Sequence, residues 1–171
     1  MVAYQHRPID YHRRRKDPAA WQSVGFSLYI AATVLWRQLR PSLEALEAGT
    51  ELTDQHELNL RLRGPFAMLS GLCIENMLKS VIVQKGVEPA KTHDLTKLAH
   101  RAGIPWEQPR VATDILARLT TFVIWAGRYP VAATEQDTQA PKVLQASDYL
   151  GIVQITSLLQ DIHLGRQPLP Q

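Results

Sequence analysis

Residues 64–86 read GPFAMLSGLCIENMLKSVIVQKG, and this stretch decides the fold of the chain. Gly64-Pro65 interrupts the preceding pattern and Gly86 supplies a stop, so the stretch predicts one helix that ends at about Lys85. That helix is apolar nearly all round, which is typical of a helix enclosed by other helices. We therefore predict an all-α fold, an up-and-down bundle of about four to five helices.

Apolar residues at spacings of three and four predict a long first helix before this central one. It begins at Asp17-Pro18, a capping acid followed by proline, and should end near Arg40 because Pro41 follows. The helix carries two adjoining apolar stripes, namely Trp21-Val24-Leu28-Ala31-Leu35 and Phe26-Ile30-Val34. Two broad stripes exceed what one neighbour covers, so we predict a homodimer formed through the first or the last helix.

Shorter patterns fill the rest of the chain. The alternating leucines of 57–63 resemble a strand, but no partner strand is evident, so we predict an irregular or helical lead-in. Thr92 should cap a short helix that stops at Gly103, and a fourth helix should cover 111–126. Residues 130–146 form a predicted loop. Ser147 should cap the last helix, whose predicted apolar face includes Leu150, Val153, Leu158 and Ile162.

Charge divides the chain into an arm and a body. The whole chain has a net charge of +3, and the segment 7–17 alone contributes five basic and two acidic residues, 5 − 2 = +3. We predict a basic arm over 1–16, one helical domain over 17–165 and a tail over 166–171. The arm contains Arg13, Arg14, Arg15 and Lys16. Such a cluster predicts weak contact with RNA or DNA, the alternative being a solubilising, disordered tail.

The compartment follows from what the sequence lacks. The longest apolar run, 26–36, is far shorter than the roughly 20 residues of a membrane helix, and no secretory signal pattern is present. A single cysteine, Cys73, cannot form an intrachain disulfide, and its place on the apolar helix predicts a buried thiol. We predict a cytoplasmic protein that does not associate with membranes.

Glu75 and Lys79 are the two charged residues inside the central apolar pattern. Their spacing of four places them on one face of the helix. One interpretation is an intrahelical pair, or a bond from Glu75 to a neighbouring backbone group, that fixes helix register. The other is a pair that lines a polar cavity and leaves Lys79 available to an anion.

Two further clusters carry chemistry. His93-Asp94 either opens the short helix, with Asp94 favoured by the helix dipole, or makes His93 a proton-transfer or phosphate-contacting group. Arg128-Tyr129-Pro130 either closes the fourth helix or grips a phosphate or base through Arg128 and Tyr129. His93 and Asp94 supply only two ligands, so we predict no metal site, and no cofactor is indicated.

In combination these motifs resemble the HEPN family of small prokaryotic helical domains. The resemblance covers about Pro65 to Tyr149 and depends on GLCIENMLK (71–79), HDLTKLAHRAGI (93–104) and WAGRYP (125–130), in that order. It implies a helical bundle that commonly dimerises and works in toxin–antitoxin, defence or nucleotide-related systems, with a nucleotidyltransferase or antitoxin as partner. Many members are metal-independent ribonucleases that use an arginine, four to six intervening residues and a histidine.

This chain departs from that ribonuclease motif. After Arg128 the histidine window is Ala133-Thr134-Glu135, and the match of Arg7 with His12 lies in the basic arm. The sequence therefore favours a noncatalytic HEPN-like module that binds a partner protein, nucleotide or RNA. Its predicted binding residues are Lys79, His93, Asp94, Arg128 and Tyr129. The alternative is a metal-independent ribonuclease with a divergent site of His93, Arg128, Tyr129 and Glu75.

Overall fold

A computed structural model describes residues 11–89, 91–104, 106, 109–126, 144 and 146–166. These residues contain seven α-helices and no β-strand, so the prediction of an all-α helical bundle is confirmed. The helices are α1 (Tyr11–Arg15), α2 (Pro18–Glu47), α3 (Asp54–Leu60), α4 (Arg63–Gln84), α5 (Leu95–Ala102), α6 (Pro109–Thr121) and α7 (Ala146–His163). A π-helical turn, Phe122–Ala126, continues α6. The predicted loop 130–146 lies outside the described residues except for Leu144 and Ala146.

Helix α4 lies at the centre of the fold. It packs against α2, α5, α6 and α7, and most of its side chains are buried. Position 71 requires glycine for a steric reason, since a Cβ there would collide with the Val123 side chain and lie 3.2 Å from the Leu119 carbonyl oxygen. The segment Asp54–Gln84 is long and apolar enough to cross a membrane, but 78% of its apolar window is buried inside the protein. That burial identifies a core helix.

Helix α2 continues through Pro41 to Glu47, so the predicted end near Arg40 is wrong. Pro41 is exposed, and the core residues Leu39 and Leu43 flank it on the buried face. Proline has no N–H to bond the carbonyl one turn earlier in the helix. On the solvent side water bonds that carbonyl instead, and the buried side chains of Leu39 and Leu43 hold both halves of the helix in place.

The buried stripe of α2 is also rotated from the predicted one. It contains Ala32, Trp36, Leu39 and Leu43, with Trp36 stacked on Tyr149 of α7 at a centroid distance of 4.1 Å. Leu28 and Leu35 are only partly buried against this core. The residues Phe26, Ile30 and Val34 lie on the opposite, exposed face.

The short helices begin differently from the prediction. The lead-in before α4 is helical, as α3, and Thr53 caps it in a reciprocal arrangement with His56. Asp94, not Thr92, caps α5, because the Asp94 carboxylate accepts the Lys97 amide at 3.0 Å. The Thr92 hydroxyl instead accepts the Asp94 amide. The predicted stop at Gly103 is confirmed by a left-handed φ of 68°.

Helix α7 begins at Ala146, so Ser147 lies inside its first turn and the predicted cap is displaced. Ile162 on its predicted apolar face is buried, whereas Leu150 is 67% exposed. Arg118 of α6 holds Asp148 at 2.7 Å and ties the two helices together. The last helix therefore turns most of its apolar face into the core.

Part of the predicted basic arm is folded. Residues 11–15 form α1, which packs against α2, while residues 1–10 and 167–171 lie outside the described residues. The Trp21 indole N–H donates to the Arg15 carbonyl at 3.0 Å and joins the two helices. Arg13, Arg14 and Arg15 thus belong to a helix on the surface of the domain.

Candidate functional site

The predicted acid–base pair of α4 is present and buried. Lys79 Nζ donates to Glu75 Oε1 at 2.6 Å, and the two side chains are 9% and 6% exposed. Because water reaches neither group freely, each needs the other to offset its desolvation. The pair therefore holds the Lys79 ammonium at a defined place on α4.

His93 extends this pair towards the surface. Its Nδ1 lies 2.9 Å from Glu75 Oε2, and the imidazole is 57% exposed. Each oxygen of the Glu75 carboxylate thus has its own side-chain partner. Of the two structural alternatives for Glu75, the intrahelical pair with Lys79 is present, and the other carboxylate oxygen bonds to His93 rather than to a backbone group. Together they form a chain of three polar groups from Lys79 to solvent.

Asp94, next to His93, has a structural task. Its carboxylate caps α5 and also lies 3.0 Å from Lys97 Nζ. Partial burial pushes the pKa of Asp94 upwards, but the hydrogen bonds and the charge of Lys97 outweigh this and hold the pKa below its ordinary value. The carboxylate is therefore ionised and engaged within its own helix.

Lys79 opens onto a cleft of about 490 Å³ between α1, α2 and α4. The cationic residues that line it are Arg14, Arg15, Lys79 and Lys91, and the neutral ones are Ala20, Trp21, Ser23, Val24, Asn76 and Pro89. No acidic side chain is among these described lining residues. We call this space the basic cleft.

One wall of the basic cleft is built by α1. The Arg15 guanidinium lies 3.5 Å from the Pro89 carbonyl and 3.8 Å from the Glu88 carboxylate. The Trp21 bond to the Arg15 backbone holds the same wall from the other side. These contacts bring Arg14 and Arg15 to a cleft whose deepest cation is on α4.

The aromatic ring of Trp21 shapes the floor of the cleft. Lys79 Nζ lies 5.4 Å from the ring centroid, within the range of a cation–π contact. Guanidinium and ammonium groups are the usual protein ligands of phosphate, and an indole offers a flat apolar face. The basic cleft is therefore suited to an anion that carries a flat or apolar body.

The structure brings together only part of the predicted site. Lys79 lines the basic cleft, His93 joins it through Glu75, and Asp94 caps α5. Arg128 and Tyr129 lie outside the described residues. Sequence reasoning missed Trp21, Asn76 and Lys91, and it treated the arm arginines as a separate element. The one available signal was that Trp21 follows the basic cluster by only a few residues.

Other chemistry is not indicated by the described part of the chain. Among those residues no group of three or more His, Cys, Asp or Glu side chains is placed to hold a metal ion. Cys73 is buried and free, as predicted, and burial raises the pKa of its thiol to about 12. A thiol with such a pKa is not a nucleophile at neutral pH.

Comparison with known proteins gives one result. The family description "HEPN domain" matches residues 65–150, which is half of the chain and contains Glu75, Lys79 and His93. No curated protein and no solved structure is significantly similar to the chain.

Proposed function

We propose, from the premise that this chain belongs to the HEPN domain family, that it is a noncatalytic module which binds a phosphate-bearing ligand in the basic cleft. The ligand class is a nucleotide or RNA. The observation that carries the proposal is the buried Lys79 ammonium, held by Glu75 at the wall of a cleft whose other charged lining residues are Arg14, Arg15 and Lys91.

The charge pattern supports this ligand class. Like charges that converge repel one another, and an anion relieves that repulsion. Four cations line the cleft, and the two carboxylates beside it, Glu75 on Lys79 and Glu88 on Arg15, offset only part of their charge. The cleft volume of about 490 Å³ is within the range of small-molecule sites.

The noncatalytic part of the proposal comes from the missing ribonuclease motif. No histidine follows Arg128 at the required interval. The imidazole of His93 is joined to Lys79 of the cleft through Glu75, which already engages its Nδ1. Binding needs only the cations, whereas RNA cleavage also needs a proton-transfer group next to the attacking hydroxyl.

A specific observation keeps the ribonuclease as a second candidate. A carboxylate bonded to one imidazole nitrogen is the arrangement that orients a histidine for proton transfer through the other nitrogen. Glu75 and His93 have this arrangement at 2.9 Å. In that candidate function His93 is the acid–base group and Arg128 and Tyr129 complete the site.

The biological setting follows from the family. HEPN domains work in toxin–antitoxin, defence and regulatory systems, and we propose the same context, a cytoplasmic location and a nucleotidyltransferase or antitoxin as partner. In such a pair, a module without its own catalysis acts by presenting a bound ligand or surface to the partner.

Binding of a nucleoside triphosphate and of a short single-stranded RNA, measured by calorimetry, tests the proposal. We expect Arg14→Ala and Lys91→Ala each to weaken binding by roughly fivefold, since each removes one solvent-exposed charge contact of about 1 kcal/mol. Arg110→Ala is the matched control, because Arg110 is an exposed cation on α6 outside the cleft. Equal affinities of all four proteins would refute the cleft as the site.

The same RNA decides between the two candidates. We expect the RNA to remain intact after incubation with the purified protein. Cleavage that disappears in His93→Ala and persists in His100→Ala would establish the ribonuclease instead. His100 is an exposed histidine on α5 and so controls for the loss of an imidazole as such.

A further inference from the structure

The basic cleft follows the groove between α2 and α4. Near the start of α2, the Ser80 hydroxyl donates to the Pro18 carbonyl at 2.9 Å. Further along α2, a Cβ added at Gly25 would lie 3.5 Å from the Asn76 Cβ. Rising positions on α2 thus meet falling positions on α4, so the two helices run antiparallel. The groove has a Pro18 end and a Gly25 end.

The cationic lining residues gather at the Pro18 end. Arg14 and Arg15 belong to α1, which ends shortly before Pro18. The Arg15 guanidinium lies 3.5 Å from the Pro89 carbonyl, and this contact brings Lys91 to the same end. The phosphate groups of a ligand are therefore attracted to the Pro18 end.

The Gly25 end of the cleft is neutral. Its lining residues are Ser23 and Val24 of α2 and Asn76 of α4. Among the described lining residues, no charged one follows Trp21 on α2 or precedes Lys79 on α4. The cleft therefore has a cationic end and a neutral end, and the two meet where Lys79 lies over the Trp21 ring.

The carboxamide of Asn76 is held in one orientation. Its Nδ2 donates to the Leu72 carbonyl at 2.7 Å, one turn earlier on α4. A carbonyl oxygen only accepts, so the amide nitrogen and not the amide oxygen must face it. No residue in the described part of the chain donates a hydrogen bond to Asn76 Oδ1. The side chain thus offers the neutral end an oriented acceptor.

We propose that Asn76 determines the specificity of the basic cleft, with its Oδ1 accepting a hydrogen bond from an N–H or O–H group of the ligand. This inference rests on the proposed function. It assigns the phosphates of the ligand to the cationic end and the nucleoside to the neutral end. The donor is an N–H group of the base or a hydroxyl of the sugar.

An acceptor oxygen distinguishes a nucleotide from a bare phosphate. Ionised phosphate presents acceptor oxygens, which the cations attract and Asn76 Oδ1 does not bind. A nucleoside adds the donors that phosphate lacks, and asparagine is a frequent partner of base edges. Val24 beside it is half exposed and offers an apolar surface to the flat face of a base.

A purely structural role for Asn76 leads to a different expectation. If its bond to Leu72 served only the packing of α4, replacing Asn76 would act on every ligand through Lys79, one turn away on the same helix. Inorganic triphosphate and a nucleoside triphosphate would then lose affinity to the same extent. A selective loss for the nucleoside triphosphate is expected only if Asn76 contacts the nucleoside.

Calorimetry with inorganic triphosphate, ATP, GTP, CTP and UTP tests the proposal. We expect Asn76→Ala to weaken the tightest-binding nucleoside triphosphate about fivefold, the effect of one neutral hydrogen bond. The affinity for inorganic triphosphate should stay within about twofold of the parent value, whereas Arg14→Ala should weaken both ligands. Asn59→Ala is the matched control, because the Asn59 side chain bonds Gln55 on α3, outside the cleft.

A second substitution keeps the test valid if alanine disturbs α4. Asn76→Leu keeps a side chain of similar volume but removes the acceptor oxygen and the amide N–H groups. We expect the same selective loss of affinity for the nucleoside triphosphate. Circular dichroism of both variants shows whether the helical fold is retained.

Ligand analogues identify the donor. The tightest-binding nucleoside triphosphate is compared with its 2′-deoxy and 3′-deoxy forms and with base analogues that each lack one N–H group. The analogue without the bonded donor should bind the unmodified protein about fivefold more weakly. Asn76→Ala should not weaken that analogue further, because the two partners of one bond are then both absent.

Three outcomes would overturn the role of Asn76. They are an equal loss for inorganic triphosphate and the nucleoside triphosphate, no loss for any nucleoside triphosphate, and a loss that keeps its full size in every analogue. In all three, a weaker affinity of Arg14→Ala for inorganic triphosphate would leave the proposed function standing. If Arg14→Ala binds every one of these ligands as tightly as the parent, the proposed function itself fails.

Discussion

Two acid–base pairs of this protein have the same spacing and nearly the same length, yet they lie in different surroundings. Arg40 and Glu44 on α2 meet at 2.7 Å with side chains 60% and 50% exposed. Glu75 and Lys79 on α4 meet at 2.6 Å with side chains 6% and 9% exposed. Water solvates the first pair whether or not it forms. The second pair has no such alternative.

The buried pair also has a third member and an opening. His93 binds the second oxygen of Glu75, and Lys79 opens onto the basic cleft. Arg40 and Glu44 lie on the exposed side of α2, where Tyr149 is a further electrostatic neighbour of Arg40. The difference teaches that spacing of four along a helix predicts contact between two charges but does not predict what the contact contributes.

Replacing the acid of each pair should show most clearly that the two pairs contribute differently to stability. We expect Glu75→Gln to lower the free energy of unfolding by about 3 kcal/mol, since it leaves the buried Lys79 ammonium without a countercharge. Glu44→Gln should leave that free energy unchanged within error, because an exposed partner is replaced by water. Urea denaturation followed by circular dichroism measures both.

Equal losses in the two variants would show that water reaches the α4 pair more easily than its burial indicates. A loss in Glu44→Gln alone would overturn the comparison altogether. Either outcome would mean that burial does not make the α4 pair more important for stability than the exposed pair.

The sequence predicted the α4 half of this comparison well. An apolar surface interrupted only by Glu75 and Lys79 requires a buried helix and a contact between the two charges, and both are present. The two ends of α4 and the stop at Gly103 were also predicted, because glycine and proline act locally.

The cleft could not be predicted in the same way. It joins Arg14 on α1, Trp21 on α2 and Lys79 on α4, and no local pattern links residues some 60 positions apart. The continuation of helix α2 through Pro41 was not predicted, for a related reason. Burial of Leu39 and Leu43 by distant helices outweighs the local effect of the proline.

A double substitution sharpens the comparison by separating stability from binding. Glu75→Leu with Lys79→Met replaces the buried pair by apolar side chains of similar volume. We expect stability within about 1 to 2 kcal/mol of the parent, because buried ion pairs are often replaceable in this way. Nucleotide affinity should fall about tenfold, since the deepest cation of the cleft is lost.

The corresponding replacement of Arg40 and Glu44 by Met and Leu should leave nucleotide affinity unchanged, as that pair lies outside the cleft. Unchanged affinity in the α4 double variant would assign the buried pair to register alone. A folded, soluble protein with weakened binding would assign it to the ligand.

The smallest effect that we expect concerns a neutral polar contact beside the α4 pair. Ser80, the neighbour of Lys79, donates its hydroxyl to the Pro18 carbonyl at 2.9 Å and lies 3.1 Å from His163 Nδ1. With the serine proton engaged by Pro18, the imidazole nitrogen must donate, whether the ring is neutral or charged. Partial burial lowers the pKa of His163 from its ordinary value near 6.5.

The sign of the resulting pH dependence follows from that lowered pKa. As the pH falls below about 6.5, the unfolded chain takes up a proton at His163 before the folded chain does, so folding loses stability. The loss ends once the pH passes the lower folded pKa. We expect the free energy of unfolding to fall less between pH 7.5 and pH 5.5 in His163→Gln than in the parent, while His100→Gln keeps the parental slope because His100 is exposed. Parallel curves for all three proteins would mean that burial of His163 places no penalty on its charged form.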